Sequence, residues 1–560
     1  MSKKANPPEE GQHRTAFGRA LAAINPARGD RGGPGGRRWL YVPYDQLSAA
    51  MGPLSREPPA QVGIVLVECP GKAARRPYHK QKLALVLANT RHFALEQARR
   101  GVAVRHLVAK GPTFASALEP IAAELGPLRV MDPAERELRK DLEPLVAKGC
   151  LEVIEHEGWL TTEDDFDSAA AGPPWRMDAF YRLVRKRTQI LMERGKPAGG
   201  KLSHDAENRQ PWKGQPQAPT PPIFEADEVT LEVRDLVDER FKSHPGEVRP
   251  ENLPATAVDA ERLWAWAKRS CLADFGRFED AMSTRSPGLF HTRISPLLNL
   301  HRLLPRRVVD DALALELPLA SKEGFVRQIL GWREFVRHVH RRTDGFRALP
   351  DGPAPLDAKG NAAPSRLGAK GNLPVAYWGT PSGLRCLDTV VADVWREAWS
   401  HHITRLMVLS NIALLLDVSP RQLTDWFWEA YDDAYDWVVE PNVLAMGTFG
   451  AGGVMTTKPY IAGAAYVNRM SDYCGGCAFD PKTTCPLTKL YWAFLSRHGP
   501  ALEGNQRMTV PLRAAEKRDP ARRREDAATF EALRDLLDRG ELATPESLER
   551  AASTLLDCRP

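Results

Sequence analysis

The sequence predicts a two-part fold, an N-terminal Rossmann-like α/β domain built on a parallel sheet followed by an all-α C-terminal domain. Three observations carry that prediction. Short apolar runs alternate with helix-patterned stretches through about residue 160, the order expected of βαβ units. Proline and glycine then crowd residues 195–222, with GKPAGG and QPQAPTPP as the clearest breakers, and mark a long connection. Beyond it the strand signal nearly vanishes and helical spacing takes over.

Taken in order, residues 1–36 are rich in Gly, Pro, Lys and Arg without apolar periodicity, which predicts a disordered extension. RWLYVPY (38–44), VGIVLVE (62–68) and VAVRHLV (102–108) read as strands of a domain spanning 37–165. Residues 79–100 and 113–126 read as its helices, closed by Gly101 and Gly126. Residues 166–224 form the connection and 225–510 the helical domain. There Phe325, Ile329, Trp332, Val336 and Val339 recur at helical spacing, and 389–416 makes a second long amphipathic pattern opened by Asp388 or Thr389. The Gly- and Pro-rich stretch 344–373 reads as a surface loop. The charged tail, 511–560, has helical composition and is expected to pack weakly or not at all.

A formal charge of +6 on 560 residues, with a pI near 8.8, gives only weak global support for nucleic-acid binding, so local clustering matters more. No apolar run reaches the roughly 18 residues of a membrane span, and no signal core follows the N-terminal charges. Eight cysteines do not make a secreted scaffold in so long a chain. Cys69, Cys150, Cys271 and Cys558 are scattered without a pairing pattern, which fits a reducing cytoplasm.

The other four cysteines are the strongest chemical signal. Cys474, Cys477 and Cys485 form a Cys-x2-Cys-x7-Cys cluster, and Cys386 stands alone upstream. Two thiolates separated by two residues can point at one soft metal centre while distant segments supply the other corners of a tetrahedron, so the spacing reads as metal or iron-sulfur ligation. A Trp- and Tyr-rich stretch at 426–437 adds oxidisable side chains suited to light-driven electron transfer.

Several ordered words then resemble one family. GFVRQILGWREF (324–335), HHITRLM (401–407), DAYDWVVEPNV (433–443) and TKPYIAGAAYVNRMSDYC (457–474) look like the iron-sulfur bacterial cryptochromes and photolyases, over about residues 38–500. The resemblance implies a helical domain that buries a U-shaped FAD. It also implies a four-iron four-sulfur cluster on Cys386, Cys474, Cys477 and Cys485; a structural zinc site is the competing reading of those thiols. The final spacer, CAFDPKTTC, is shorter than in relatives but leaves room for ligation.

The likeness places FAD against His291, Ser295, Gln328 and Arg333, with Arg405 and Asp433 as a polar clamp and Tyr435 nearby. Relatives set a carboxylate or amide at the reactive flavin nitrogen; the aligned residue here is Val439, so either a small backbone shift lets Glu440 serve or the flavin has altered protonation and semiquinone stability. Trp426 and Trp378 match electron-transfer tryptophans, whereas Phe427 stands where a relative has tyrosine. His401, His402 and Tyr460 resemble the lesion pocket of the (6-4) branch, in which a histidine gives a proton to the photoproduct.

LSHDAENRQP (202–211) looks like the interdomain loop that approaches DNA, with Arg209 supporting the opened duplex and Asp205 a ligand for Mg2+. Arg182 and Arg185, beside Lys186 and Arg187, make a phosphate-contacting stripe. Asp45 in YDQL fits the position of an antenna pigment, 6,7-dimethyl-8-ribityllumazine. Here the customary Gly has become Tyr44, and Val67 and Lys72 replace Cys and Glu, so the resemblance leaves that site either filled or empty. The implied activity is light-dependent repair of UV-damaged DNA, favouring the (6-4) photoproduct, by a cytoplasmic, nucleoid-associated bacterial monomer. A non-enzymatic blue-light receptor using the same FAD photoreduction is the alternative.

Overall fold

Val62–Glu68 is buried at every position, as a strand covered on both faces must be, which is why it reads as an unbroken apolar run. In the computed structural model, which describes residues 15–26 and 36–557, this strand (β2) pairs in parallel with Arg38–Tyr41 (β1) and with Ala103–Val108 (β3). Leu128–Met131 (β4) and Leu151–Ile154 (β5) complete a five-stranded parallel sheet in the order β3-β2-β1-β4-β5. The strand order reverses between β1 and β4, and the crevice beyond the carboxyl ends of such a pair is where doubly wound sheets take ligands. Tyr44 and Asp45 follow β1 there, and Glu135 follows β4.

The helix Lys80–Arg99 packs against Glu228–Arg240 and fixes the sheet to the start of the helical domain. Arg91 bridges them, reaching Glu68 at 2.7 Å and Glu232 at 2.6 Å. The expectation of disorder through residue 36 is corrected in part. Ala16–Ile24 is a helix capped by the Thr15 hydroxyl, and it buries Phe17 and Leu21, one turn apart, against those two helices. Residues 1–14, 27–35 and Cys558 lie outside the described residues. The predicted connection is also not bare linker, because Met177–Thr188 is a helix with Phe180, Tyr181 and Val184 buried.

Beyond residue 225 the described chain is helical apart from one short hairpin, Ala348–Leu349 with Gly352–Pro353. Phe325, Ile329, Val336 and Val339 are buried, on a helix that widens into a π-helical turn over Arg327–Arg333 before continuing as Glu334–Arg342. Two more π-helical stretches, Arg405–Ser410 and Glu440–Gly447, lie in the same domain. Such wide turns re-aim side chains and recur at functional sites.

The single amphipathic helix expected over 389–416 is broken. Arg385–Glu397 ends at Ala398, whose φ of 51° is left-handed and stops the helix, and a new helical segment starts at His402. The weakly packed tail is likewise corrected. Pro520–Asp538 lies along Pro486–Leu502 and buries Phe530, Leu533 and Leu537, and Pro545–Asp557 folds back on it.

Candidate active site

The helix break at 398–401 places two histidine rings against a third. His401 is buried and stacks face to face on buried His291, with centroids 4.4 Å apart and planes 6° from parallel, while half-buried His402 meets His291 edge-on at 5.4 Å. One ring nitrogen from each of the three falls within 4.8 Å of those of the other two. Neither nitrogen of His401 has a hydrogen-bond partner, nor has His291 Nε2. Burial, reinforced by the neighbouring imidazoles and by Arg405, holds His401 well below the usual histidine range; burial and His402 do the same to His291. Both rings are therefore neutral at physiological pH.

Arg405 and Asp433, the two residues expected to clamp the cofactor, pair with each other. Arg405 donates through Nη1 and Nη2 to the two carboxylate oxygens of Asp433, each at 2.9 Å, and lies 4.1 Å over the Tyr431 ring. The Ser295 hydroxyl donates to Asp433 at 2.7 Å and the Asn299 amide to the Asp433 carbonyl at 2.8 Å. Arg333 donates to the Leu298 carbonyl at 3.0 Å and stacks over Trp159. Its Nε and Nη1 have no hydrogen-bond partner, although Nη1 lies 3.6 Å from Glu334, and burial brings its guanidinium down to about 10. Tyr435 is buried with an unpartnered hydroxyl, and Gln328 donates to Glu279 at 2.6 Å.

Toward solvent, Asp205 pairs with Arg209, whose Nε is 3.7 Å from Asp280. The charges of Asp205 and Arg209 act on half-buried Tyr460, and those of His402, Arg209 and Asp205 on Asp280, so Tyr460 and His402 border one charged cluster. Asp280, raised first by burial, is a member that sequence reasoning missed.

Two expectations, those for Glu440 and Arg185, are corrected. Glu440 is not a free acceptor, because His340 at 2.9 Å and Arg421 at 3.0 Å occupy its two oxygens; successive helical residues point about 100° apart, so Glu440 cannot stand in for buried Val439. Trp378 is 51% exposed, and the tryptophan in ring contact with Trp426 is Trp395, at 6.0 Å and nearly perpendicular. Trp395 and Trp426 both donate their indole N–H to the Tyr377 carbonyl. Arg185 is fully buried, out of reach of phosphate, and donates to the carbonyls of Ile190, Leu191 and Leu202, whereas Arg182 is exposed.

Cys386, at the start of Arg385–Glu397, packs against the turn Tyr473–Gly476, and Cys485 caps Pro486–Leu502. Burial, then the neighbouring thiols of Cys485, Cys477 and Cys474, push Cys386 upward, so the four thiols share one neighbourhood, although no three of their sulfurs fall within 4.8 Å of one another. That is the donor set a soft metal centre requires. In the crevice beyond β1 and β4, Tyr44 stacks on Tyr435 at 6.1 Å, and Lys72 donates to the Tyr44 hydroxyl at 2.9 Å and to Glu135 at 2.7 Å. These groups border a half-open cavity walled also by Val67, Phe114 and Trp428. Asp45 is buried with an unpartnered Oδ1, and burial brings it up to about 7.

A family model described as deoxyribodipyrimidine photo-lyase-related protein matches residues 40–253. The (6-4) photolyase of Agrobacterium fabrum is 34% identical over 488 residues, covering 83% of this chain and 93% of that protein. The chain belongs to the photolyase and cryptochrome family. Two solved structures share its fold. A class III photolyase from Agrobacterium tumefaciens has a TM-score of 0.51 at 13% identity, over 94% of this chain and 98% of that one. A cryptochrome from Synechocystis sp. PCC6803 has a TM-score of 0.50 at 14% identity, over 78% of this chain and 86% of that one. Membership makes this photolyase a blue-light flavoprotein of DNA repair whose cofactor is FAD. The unpartnered, buried atoms of Arg333, Tyr435 and His401 fit a large polar ligand held within the helical domain. No helix among the described residues is long and apolar enough to cross a membrane.

Proposed function

We propose that this photolyase repairs the (6-4) pyrimidine photoproduct, and the observation that carries the reading is the His291–His401–His402 cluster, whose His402 acts on the same Asp205–Arg209–Asp280 charges that neighbour Tyr460. FAD, when bound, supplies the photoexcited electron donor. Ser295, Asn299, Asp433 and Arg405 form the polar wall that holds it, with Arg333 offering unpartnered guanidinium hydrogens. His291 and His401, held neutral, brace His402. His402 borders solvent and is the group that gives a proton to the flipped-out lesion and takes it back, while Tyr460 lines the lesion's other side.

Arg182 and Arg209 support the duplex on this reading. Asp205 serves a Mg2+ ion beside phosphate once DNA draws Arg209 away from it. The four neighbouring cysteines hold a four-iron four-sulfur cluster that staples the Cys386 helix to the 474–485 loop. The cavity beyond β1 and β4 is the antenna position. Tyr44 and Lys72 alter its lining toward rings and a cation, so a lumazine there would have to stack beside Tyr44. The protein works as a monomer on UV-damaged DNA in the nucleoid.

The test is blue-light repair of an oligonucleotide carrying one defined (6-4) lesion by fully reduced protein. Restoration of the parent bases is expected; absence of repair would sink the enzymatic reading.

A further inference from the structure

A cationic rim lies outside the lesion pocket on an element that no motif marks, the turn between the helices Pro486–Leu502 and Thr509–Glu516. Asn505 fixes that turn to the lesion loop. Its amide donates to the Thr457 carbonyl at 3.0 Å, and its side-chain oxygen accepts the Arg507 backbone N–H at 3.0 Å. Met508, buried, anchors the next residue. Arg507 is therefore carried beside Thr457, Lys458 and Tyr460, and its charge acts on the Tyr460 hydroxyl.

Arg507 and Lys458 are both exposed, and among the described residues neither side chain has a hydrogen-bond or ion-pair partner. Two unpaired cations a few residues from a lesion-pocket tyrosine suit a repeating anion, and DNA phosphates repeat every few ångströms along a strand. Arginine matches phosphate with two parallel hydrogen bonds and lysine with a point charge.

We infer that Arg507 and Lys458 grip backbone phosphates of the strand flanking the lesion, so that the C-terminal turn 503–509 is an outer wall of the DNA-binding face. The inference rests on the photolyase reading but concerns affinity rather than repair chemistry. Such contacts position the duplex without reading its sequence. Glu503, exposed on the same turn, opposes them.

The experiment is the salt dependence of binding to matched duplexes with and without a (6-4) lesion, using full-length holoprotein. Arg507→Ala and Lys458→Ala are each expected to flatten the slope of log K against log salt by about 0.9, and the double variant by about 1.8. Both duplexes should weaken alike, so the preference for damage is retained. Arg507→Lys should restore the slope, and Glu503→Gln should strengthen binding to both duplexes. An unchanged slope in the double variant, with flavin absorbance and melting intact, overturns the inference even if the wild type repairs. A wild type that repairs nothing while the slopes change as stated keeps the phosphate wall and sinks the enzymatic reading instead. A wild type that binds neither duplex overturns both.

Discussion

His291 and His401 lie ring on ring, 4.4 Å apart and 6° from parallel, in a place where neither His401 nitrogen meets a protein partner. A buried imidazole with no acceptor nearby stays neutral, which is why the proposed reading gives proton transfer to the half-buried third member, His402. His402→Asn is expected to lower (6-4) repair by at least ~10²-fold, the scale of a lost general acid, with flavin absorbance unchanged. His401→Asn should lower it less. Equal losses from both substitutions, measured under saturating blue light, would contradict this division of labour.

The same burial predicts acid sensitivity. An unfolded histidine titrates near about 6.5, whereas His291 and His401 in the folded protein are held well below that range. Below pH 6.5 the unfolded chain binds more protons than the folded one. The stability tied to these rings is thus complete above pH 6.5 and falls as the pH drops, by up to about 1.4 kcal/mol per pH unit for each ring. Urea midpoints at pH 7.5 and 5.5 should show a loss that His401→Gln reduces; a pH-independent difference between wild type and variant would refute it.

Trp395 touches Trp426, and exposed Trp378 does not appear among its ring neighbours. Trp395 also stacks on His79 at 5.8 Å and is partly exposed, so it can accept an electron from a soluble thiol and hand one on to Trp426. Trp395→Phe is expected to slow photoreduction of the bound flavin roughly tenfold, equivalent to ~1.4 kcal/mol of barrier. Trp378→Phe should have a smaller effect. Absorbance under steady illumination with excess thiol measures both, and the reverse ranking would restore Trp378 as the outer donor.

The strands of the sheet were readable because burial on both faces forces a continuous apolar run, as in Val62–Glu68. Arg185 was not, because RLVRKR looks uniformly basic until helical spacing puts Tyr181, Val184 and Arg185 on the buried face and leaves Arg182 and Lys186 outside. The break after Glu397 had no signal either, since it turns on a left-handed Ala398 where glycine or asparagine would ordinarily announce the stop. That one residue decides where His401 and His402 stand. In the tail, dense charge masked Phe530, Leu533 and Leu537, whose spacing of three and four residues makes a single stripe. The pair His401-His402 and the four cysteines were legible as chemistry, but their partners His291 and the 383–386 corner belong to distant segments.

Gly383 joins that cysteine corner to the tail. Its φ is 83°, and a Cβ built there would sit 1.9 Å from the Ala543 carbonyl oxygen, while its own carbonyl lies 4.0 Å from Cys477 Sγ. Ala543 donates its N–H to the Ser382 carbonyl at 3.1 Å, so the turn before Pro545–Asp557 rests directly on the loop leading to Cys386. Gly383→Ala adds backbone strain and a clash with main chain, which cannot swing aside as a side chain would. A loss of about 1–3 kcal/mol is expected, read as a lower denaturation midpoint. Removing residues 540–560 takes away the Ala543 oxygen, so the same substitution should cost less in the shortened chain. A double-mutant cycle separates the two contributions: strictly additive losses would mean that the tail and the cysteine corner are independent, whereas coupling makes the C-terminal helices part of the support for Cys386.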